Sequence, residues 1–376
     1  MANKSRVIWI AATLIAVAIA ILAAASWYYS DQLIRPRRGK AMEPDLQVLA
    51  VRNGRVLLPG RNGTRKPGIW VLEWPGGCGH VGSIRTRGRD IERDFWPLRG
   101  SLTPGTRAYL NPFGFDEDPR TQFNLPYREV VVPSAIGGYP AWFLDGPAHT
   151  WMILVHGMGA TRAEAIRLLH ETASFGLPSL VITYRNDPGA PGSPDGLLHL
   201  GMTEWEDLER AVEYSRRAGA RDVILVGYST GGALIARFLL NSTLAESVRG
   251  VILESPVLDW HAATAHYARH HRIPAPLATL GTQIAGWRAG IQWAGLEPLA
   301  HAKELRAPML VIHGTADPVV PLWTSESLAT RRPDLVTLIK IPGAGHVESW
   351  NADSTAYGKN VREWLQRVGL EPTVSP

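Results

Sequence analysis

The stretch Asp222-Val-Ile-Leu-Val-Gly-Tyr-Ser-Thr-Gly-Gly232 decides the fold. Five apolar-leaning residues, DVILV, predict a short buried strand, and the small residues after Ser229 open a run, Gly231 to Leu240, with helical apolar spacing. Between them GYSTG places Ser229 on a strand-to-helix turn. Such a turn holds a hydroxyl out at the edge of a sheet. Gly227 and Gly231 suit it, because side chains there would collide as strand and helix close on each other.

A serine hydroxyl is a weak nucleophile at neutral pH and needs a base within hydrogen-bond reach, itself oriented by a carboxylate. Both are expected downstream. The strand PMLVIH is followed by HGTADPVVP, which puts Asp317 in a loop just past a strand end. The strand VTLIKI is followed by PGAGHVESW, which puts His346 in the corresponding loop. One strand-helix unit therefore separates acid from base. Asp259, in SPVLDW after the strand GVILE, is the alternative acid, ranked below Asp317 because HGTADPVVP sits one unit before GAGH. Upstream, His156-Gly157-Met158-Gly159 follows the strand WMILV. Gly157 and Gly159 permit tight curvature there, and the N–H groups of Met158 and Thr230 are the candidate oxyanion donors.

From Thr150 onward, short apolar strands (WMILV, SLVITY, DVILVG, GVILE, PMLVIH, VTLIKI) alternate with helical patterns at Arg162 to Ala173, Met202 to Arg217, Gly231 to Leu240 and Ala352 to Val368. That alternation predicts a doubly wound α/β fold around a mostly parallel sheet. About fifty residues, 255–307, separate GVILE from PMLVIH, far more than a crossover needs. They predict a helical cap. Trp260, Trp287 and Trp293 within it suit either an apolar acyl pocket or packing of cap on core.

HGMG, GYSTG, HGTADPVVP and GAGH, in this order and on these elements, resemble the α/β-hydrolase superfamily over roughly Tyr127 to Leu370. WMILVHGMGATRAEAIRLL followed by ITYRNDPGAPGSPDG is similar to membrane-anchored α/β-hydrolase domain proteins and actinobacterial-type hydrolases. The resemblance implies hydrolysis through a Ser-His-Asp triad. It does not specify a substrate.

The first part of the chain reads differently. Val7 to Ala25 carries no charge and, as a helix, spans about 29 Å at 1.5 Å per residue, enough for a bilayer core. Trp27, Tyr28 and Tyr29 follow where an interfacial belt would lie, then Arg35, Arg37, Arg38 and Lys40. A single transmembrane anchor over residues 1–30 is the expectation. The competing reading is a cleaved signal peptide, with Lys4 and Arg6 as its basic start, Ala23-Ala24-Ala25 as its cleavage site and secretion as its consequence. The charges leave the membrane side of the catalytic domain open. Residues 31–126, with β-like runs such as QVLAV, RVLLP and GIWVLEW, predict a linker and a small β-rich segment ahead of the hydrolase domain at 127–370.

At 376 residues with 45% apolar and 19% charged, the chain is globular. Its net charge of +5 is scattered, without a basic run interleaved with aromatics, so nucleic acid is not an expected partner. The expected partners are an ester substrate, small or lipid, and the bilayer. No cofactor is implied. Cys78 and His80 in GGCGH are two ligands at most and read as a turn. His266 and His270 are four apart beside His261 and His271, but no Glu completes H-E-x-x-H, so no metal is expected. The expected activity is hydrolysis of carboxylic esters, probed against a serine peptidase or amidase of the same fold and against an idle membrane scaffold.

Overall fold

The computed structural model describes residues 2–36, 44–61, 63–111 and 118–373. Arg37, Arg38 and Lys40 of the basic stretch after the apolar segment lie outside the described residues.

The main sheet has eight strands: β1 (Arg128–Ser134), β2 (Gly137–Leu144), β3 (Thr150–Val155), β4 (Ser179–Ile182), β5 (Asp222–Tyr228), β6 (Val248–Glu254), β7 (Met309–Gly314) and β8 (Val336–Ile341). Their spatial order is β8-β7-β6-β5-β3-β4-β2-β1. The pairings from β4 through β8 are parallel; β2 joins β4, and β1 joins β2, antiparallel. Strands β3, β4 and β7 are buried at every residue. That is why they read as continuous apolar runs rather than alternating ones: a parallel sheet is covered on both faces. One apolar layer packs around Met152, Leu154, Val226 and Ile312, the other around Ile153, Val155, Leu225 and Val311.

The long helix α1 (Ala2–Ile34) precedes everything else. The helices that matter for the sheet and its upper edge are α2 (Ile166–Thr172), α3 (Trp205–Arg217), α4 (Thr230–Asn241), α5 (Trp260–His270), α6 (Ala275–Arg288), α7 (Leu322–Arg331) and α8 (Ser354–Arg367). The interval 255–307 holds α5, α6 and two short 3₁₀ turns, Trp293–Leu296 and Ala302–Glu304. It is a helical cap over the ends of the parallel strands.

α1 does not end at residue 30 with a linker beyond it. It continues to Ile34, and its last two turns are built into the cap. Ser26, Ser30 and Ile34, spaced by four, are buried on one face. They lie against α6 at Gly281, where a Cβ would come within 3.0 Å of the Tyr29 Cβ and 3.3 Å of the Ser26 carbonyl oxygen. The small residues permit this approach, and the Ser26 and Ser30 side chains read as nothing but polar interruptions in the sequence. In contrast, every residue from Ile8 to Ala24 is exposed. α1 is long and apolar enough to cross a membrane, a property a signal sequence shares.

Residues 46–111 form a separate antiparallel sheet of seven strands among the described residues, with its own core around Val56, Leu58, Leu72 and Val81. Within it the turn at GGCGH is confined to Pro75-Gly76; Cys78 and His80 lie on the strand Gly77–Arg87. The His80 ring shares a 3.1 Å hydrogen bond with the side-chain oxygen of Gln122, so its imidazole is engaged structurally. Buried Arg93 donates to the carbonyls of Gly82, Lys66 and Gly68 and fixes the loop that meets the hydrolase domain. There Lys66 pairs with Glu348 at 2.5 Å, and the Ile69 N–H donates to the Asn351 carbonyl at 2.8 Å. The small sheet therefore abuts the segment that follows His346.

Candidate active site

Ser229 closes β5 and caps α4 with φ 50° and ψ −113°. A non-glycine residue in that region is strained, and here the crossing of strand and helix imposes the strain. A Cβ on Gly231 would lie 2.3 Å from the Val155 carbonyl oxygen, and one on Gly227 would lie 2.7 Å from the Gly231 carbonyl carbon. Neither position tolerates a side chain. The turn is held open by the Ser229 N–H, which donates to the Glu254 carbonyl at 3.0 Å.

The structure brings the three distant residues together. The Ser229 hydroxyl donates to His346 Nε2 at 2.9 Å, and His346 Nδ1 donates to Asp317 Oδ2 at 2.8 Å. Because Nδ1 faces a carboxylate, the proton of the neutral ring sits there and Nε2 is left to accept. Asp317 is buried, and burial pushes its pKa up. Hydrogen bonds from His313 and His346 outweigh that and hold it well below the usual carboxylate range. Its Oδ1 also accepts from the Val319 and Val320 N–H groups, at 2.8 and 2.9 Å.

His313 was not visible as a site residue, because the last His of PMLVIH reads simply as a strand end. Its Nε2 lies 3.3 Å from Asp317 Oδ2, and its Nδ1 shares a 2.8 Å bond with Ser325 on α7. Fully buried, it reaches the same carboxylate oxygen as His346 and helps to fix it. Arg167 on α2 fixes the loop that carries His346: it donates to the Val347 carbonyl at 2.7 Å and to Asn351 Oδ1 at 2.8 Å. Val347 itself has φ 53°, an uncommon conformation for a β-branched residue, so the loop carrying His346 is held under strain by its surroundings.

Asp259 makes no hydrogen bond or ion pair with His346 among the described residues. It is the N-cap of α5, its carboxylate accepting from the Ala262 N–H at 2.8 Å. His266 donates from Nε2 to the Asp317 carbonyl at 2.9 Å and ties the cap to the loop that carries Asp317. His270 and His271 are exposed on the far turn. Asp259, His261 and Glu297 bring ligand atoms within 4.8 Å of one another, but His261 Nδ1 is engaged with Glu297 at 2.7 Å and Asp259 with its helix.

The turn at 156–159 is fixed from both sides. Gly157 N–H donates to Glu164 Oε2 at 2.7 Å. His156 is buried, with Nε2 2.8 Å from Asp187 Oδ2 and Nδ1 2.8 Å from the Gly157 carbonyl. Both partners are acceptors, an arrangement that favours the ring with both nitrogens protonated. Burial opposes that charge, but Asp187 overcomes it and raises the pKa of His156. Gly159, with φ 74°, completes the turn. The N–H groups of Met158 and Thr230 donate to no acceptor among the described residues, and both residues line the same cavity as Ser229.

The raised pKa of His156 has a measurable consequence. A histidine whose folded pKa is raised contributes stability fully below its unfolded value of about 6.5, and that contribution fades as pH rises through the folded pKa. Asp187→Asn should therefore lower the thermal midpoint most at pH below about 6.5, with the gap from the unaltered protein narrowing at alkaline pH. A gap that is the same across the whole range would show that His156 is neutral.

The cavity above Ser229 measures about 290 Å³. Its walls come from α5 (Trp260, Ala263, Tyr267), from α6 (Ala278, Gly281, Thr282) and from α1 (Tyr29, Gln32, Leu33), with Ser229 and His346 at the floor. Among the described residues, no Asp, Glu, Lys or Arg lines it. Of the three tryptophans, Trp260 is buried in this wall, Trp293 packs on His261, and Trp287 points away, 77% exposed. The participation of α1 was unreadable in the sequence, since nothing local marks which face of an apolar helix meets a cap more than two hundred residues away.

Comparison with known proteins places the chain. The alpha/beta hydrolase family profile matches residues 152–357, and a domain of unknown function matches residues 47–111, the small sheet. The uncharacterized protein YqkD of Bacillus subtilis is 23% identical over 245 residues, covering 63% of this chain and 79% of that one. The lysophosphatidylserine lipase ABHD12 of Macaca fascicularis is 24% identical over 250 residues, 62% of this chain and 57% of that one. Among solved structures, the esterase Pf2001 of Pyrococcus furiosus superposes with a TM-score of 0.55 at 18% identity, covering 66% of this chain and 93% of its own. With its eight-stranded, capped sheet and a family match over more than half its length, this chain belongs to the α/β hydrolase family.

Proposed function

We propose that the protein is a membrane-anchored serine esterase that cleaves lipophilic acyl esters. The observation that carries this is the unbroken hydrogen-bond chain from Ser229 through His346 to Asp317 at the floor of an uncharged, largely apolar cavity. Ser229 Oγ attacks the ester carbonyl carbon while its proton passes to His346 Nε2. The carbonyl oxygen, now an alkoxide, lies against the Met158 and Thr230 N–H groups. Collapse of the tetrahedral intermediate breaks the bond to the alcohol oxygen, which takes the proton from His346. Water then repeats the sequence on the acyl-serine and releases the acid. Asp317, held ionised, keeps His346 in the accepting tautomer and stabilises the transient imidazolium.

The same triad serves amides, but recognition of a peptide terminus calls for a charged partner, and the cavity walls offer no Asp, Glu, Lys or Arg among the described residues. The name of the macaque relative, a lipase for a lysophospholipid, is in keeping with a lipid ester. Burying each acyl CH₂ is worth about 0.8 kcal/mol, so kcat/KM should rise about fourfold per CH₂ until the cavity is full. A scan of p-nitrophenyl esters of increasing chain length beside aminoacyl-nitroanilides, on the full-length protein in detergent, measures this. Preference for the anilides, or a steady fall from the shortest ester upward, would exclude the lipophilic-ester assignment. Labelling of Ser229 by a fluorophosphonate separates an enzyme from an idle scaffold.

A further inference from the structure

A helix that only tethers a domain has no reason to enter its catalytic cavity, yet α1 does. Tyr29, Gln32 and Leu33 line the same space as Ser229 and His346, together with Ala278, Gly281 and Thr282 of α6. This part of α1 is pinned in place. Arg288 pairs with Asp31 at 2.7 Å, donates to the Ser30 hydroxyl at 2.5 Å and lies 4.0 Å over the Trp27 ring. The Leu198 N–H donates to the Ile34 carbonyl at 2.7 Å. Toward its N-terminus the same continuous helix runs through Ile8 to Ala24, exposed at every position, for about 26 Å at 1.5 Å per residue.

Where the exposed part gives way to the docked part, the protein surface is apolar. Trp27 is 45% exposed and Tyr28 59%, while on α6 Leu280 is 40% and Trp287 77% exposed. All four lie on the helices that pack together here: Trp287 is next in sequence to Arg288, which covers the Trp27 ring, and Leu280 is next to Gly281, which abuts Tyr29. Large exposed aromatics beside a bilayer-length apolar helix match the headgroup level of a membrane. The bilayer is the one occupant that fits both the helix and the patch continuous with it.

We propose that α1 forms the bilayer-side wall of the acyl site, and that the seam between α1 and α6 is the path by which a membrane lipid's acyl chain passes laterally to Ser229. This rests on the esterase assignment for its chemistry, but the path can be tested without turnover. Full-length protein in phosphatidylcholine vesicles is illuminated with a fatty acid carrying a mid-chain diazirine, and the labelled peptides are mapped by mass spectrometry. Label is expected on 29–33, on 278–282 and on cavity residues 257–264, in addition to 8–24. Leu33→Trp, which narrows the seam, should cut the label on 257–264 about tenfold, the equivalent of excluding roughly two CH₂ groups, while leaving that on 8–24. Trp287→Ser, outside the cavity, should lower cavity label from vesicles but not from the same probe dispersed in detergent, which separates a bilayer source from a dissolved one.

Label confined to 8–24, or cavity label indifferent to Leu33→Trp, overturns the path. Equal loss with Trp287→Ser from both sources overturns the bilayer as the source. Fluorophosphonate labelling of Ser229 in the same samples keeps the two assignments apart. Ser229 labelled without acyl label on α1 removes the path alone, whereas acyl label in the cavity without Ser229 reactivity supports the path and removes the esterase.

Discussion

Replacing Ser229 by Ala should lower kcat on any ester by about 10⁴ to 10⁶ while the protein folds normally. The magnitude follows from what is removed. Without the Oγ there is no acyl-enzyme, and His346 Nε2 loses the group it accepts from at 2.9 Å. What survives is substrate binding and the Met158 and Thr230 N–H groups, which leave some acceleration over water. The fold should not suffer, because Ser229 holds its place through backbone bonds: its N–H donates to Glu254, and its carbonyl accepts from Gly232 and Val257, each at 3.0 Å. Alanine at φ 50° bears the same strain as serine, so circular dichroism and thermal midpoint should stay close to those of the unaltered protein. Turnover within tenfold of the original would mean that another nucleophile operates.

The elements that were legible in the sequence are those whose local pattern carries their fate. β3, β5, β6 and β7 are apolar runs because both faces of a parallel sheet are covered, and the GYSTG turn is marked by two glycines that strand and helix physically require. Asp317 and His346 follow their strands at a spacing set by one strand-helix unit, and the structure brings them to Ser229. What was not legible depends on contacts between segments remote in sequence. His313 is a strand residue until the fold sets it 3.3 Å from Asp317. Asp187 and His156 meet only because β3 and β4 are neighbours. The docked end of α1 depends on a glycine some 250 positions away, and the antiparallel sheet at 46–111 meets the His346 segment through Lys66, Gly68 and Ile69 and through Val71 and Cys78, which share an apolar cluster with Val347 and Trp350. The sequence reading also left three tryptophans equivalent, whereas burial separates Trp260 in the cavity wall from exposed Trp287.

Asp317→Asn should cost about 10⁴ in kcat, and Asp259→Asn should leave activity nearly unchanged. In the first variant the amide can present its oxygen to the Val319 and Val320 N–H groups, as Oδ1 does now, which keeps the loop in place. The amide nitrogen then faces His346 Nδ1 and His313 Nε2 in the position of Oδ2. A donor opposite Nδ1 drives the His346 proton to Nε2, the atom that must accept from Ser229. The ring can then take no proton, and no carboxylate is left to stabilise an imidazolium. The defect should appear in kcat with KM little altered, since Asp317 is at the back of the triad and does not line the cavity. Asp259, by contrast, only caps α5, and asparagine caps a helix as well as aspartate does. A loss in Asp259→Asn equal to or greater than that in Asp317→Asn would move the orienting role to Asp259 and require the cap to rearrange when substrate binds.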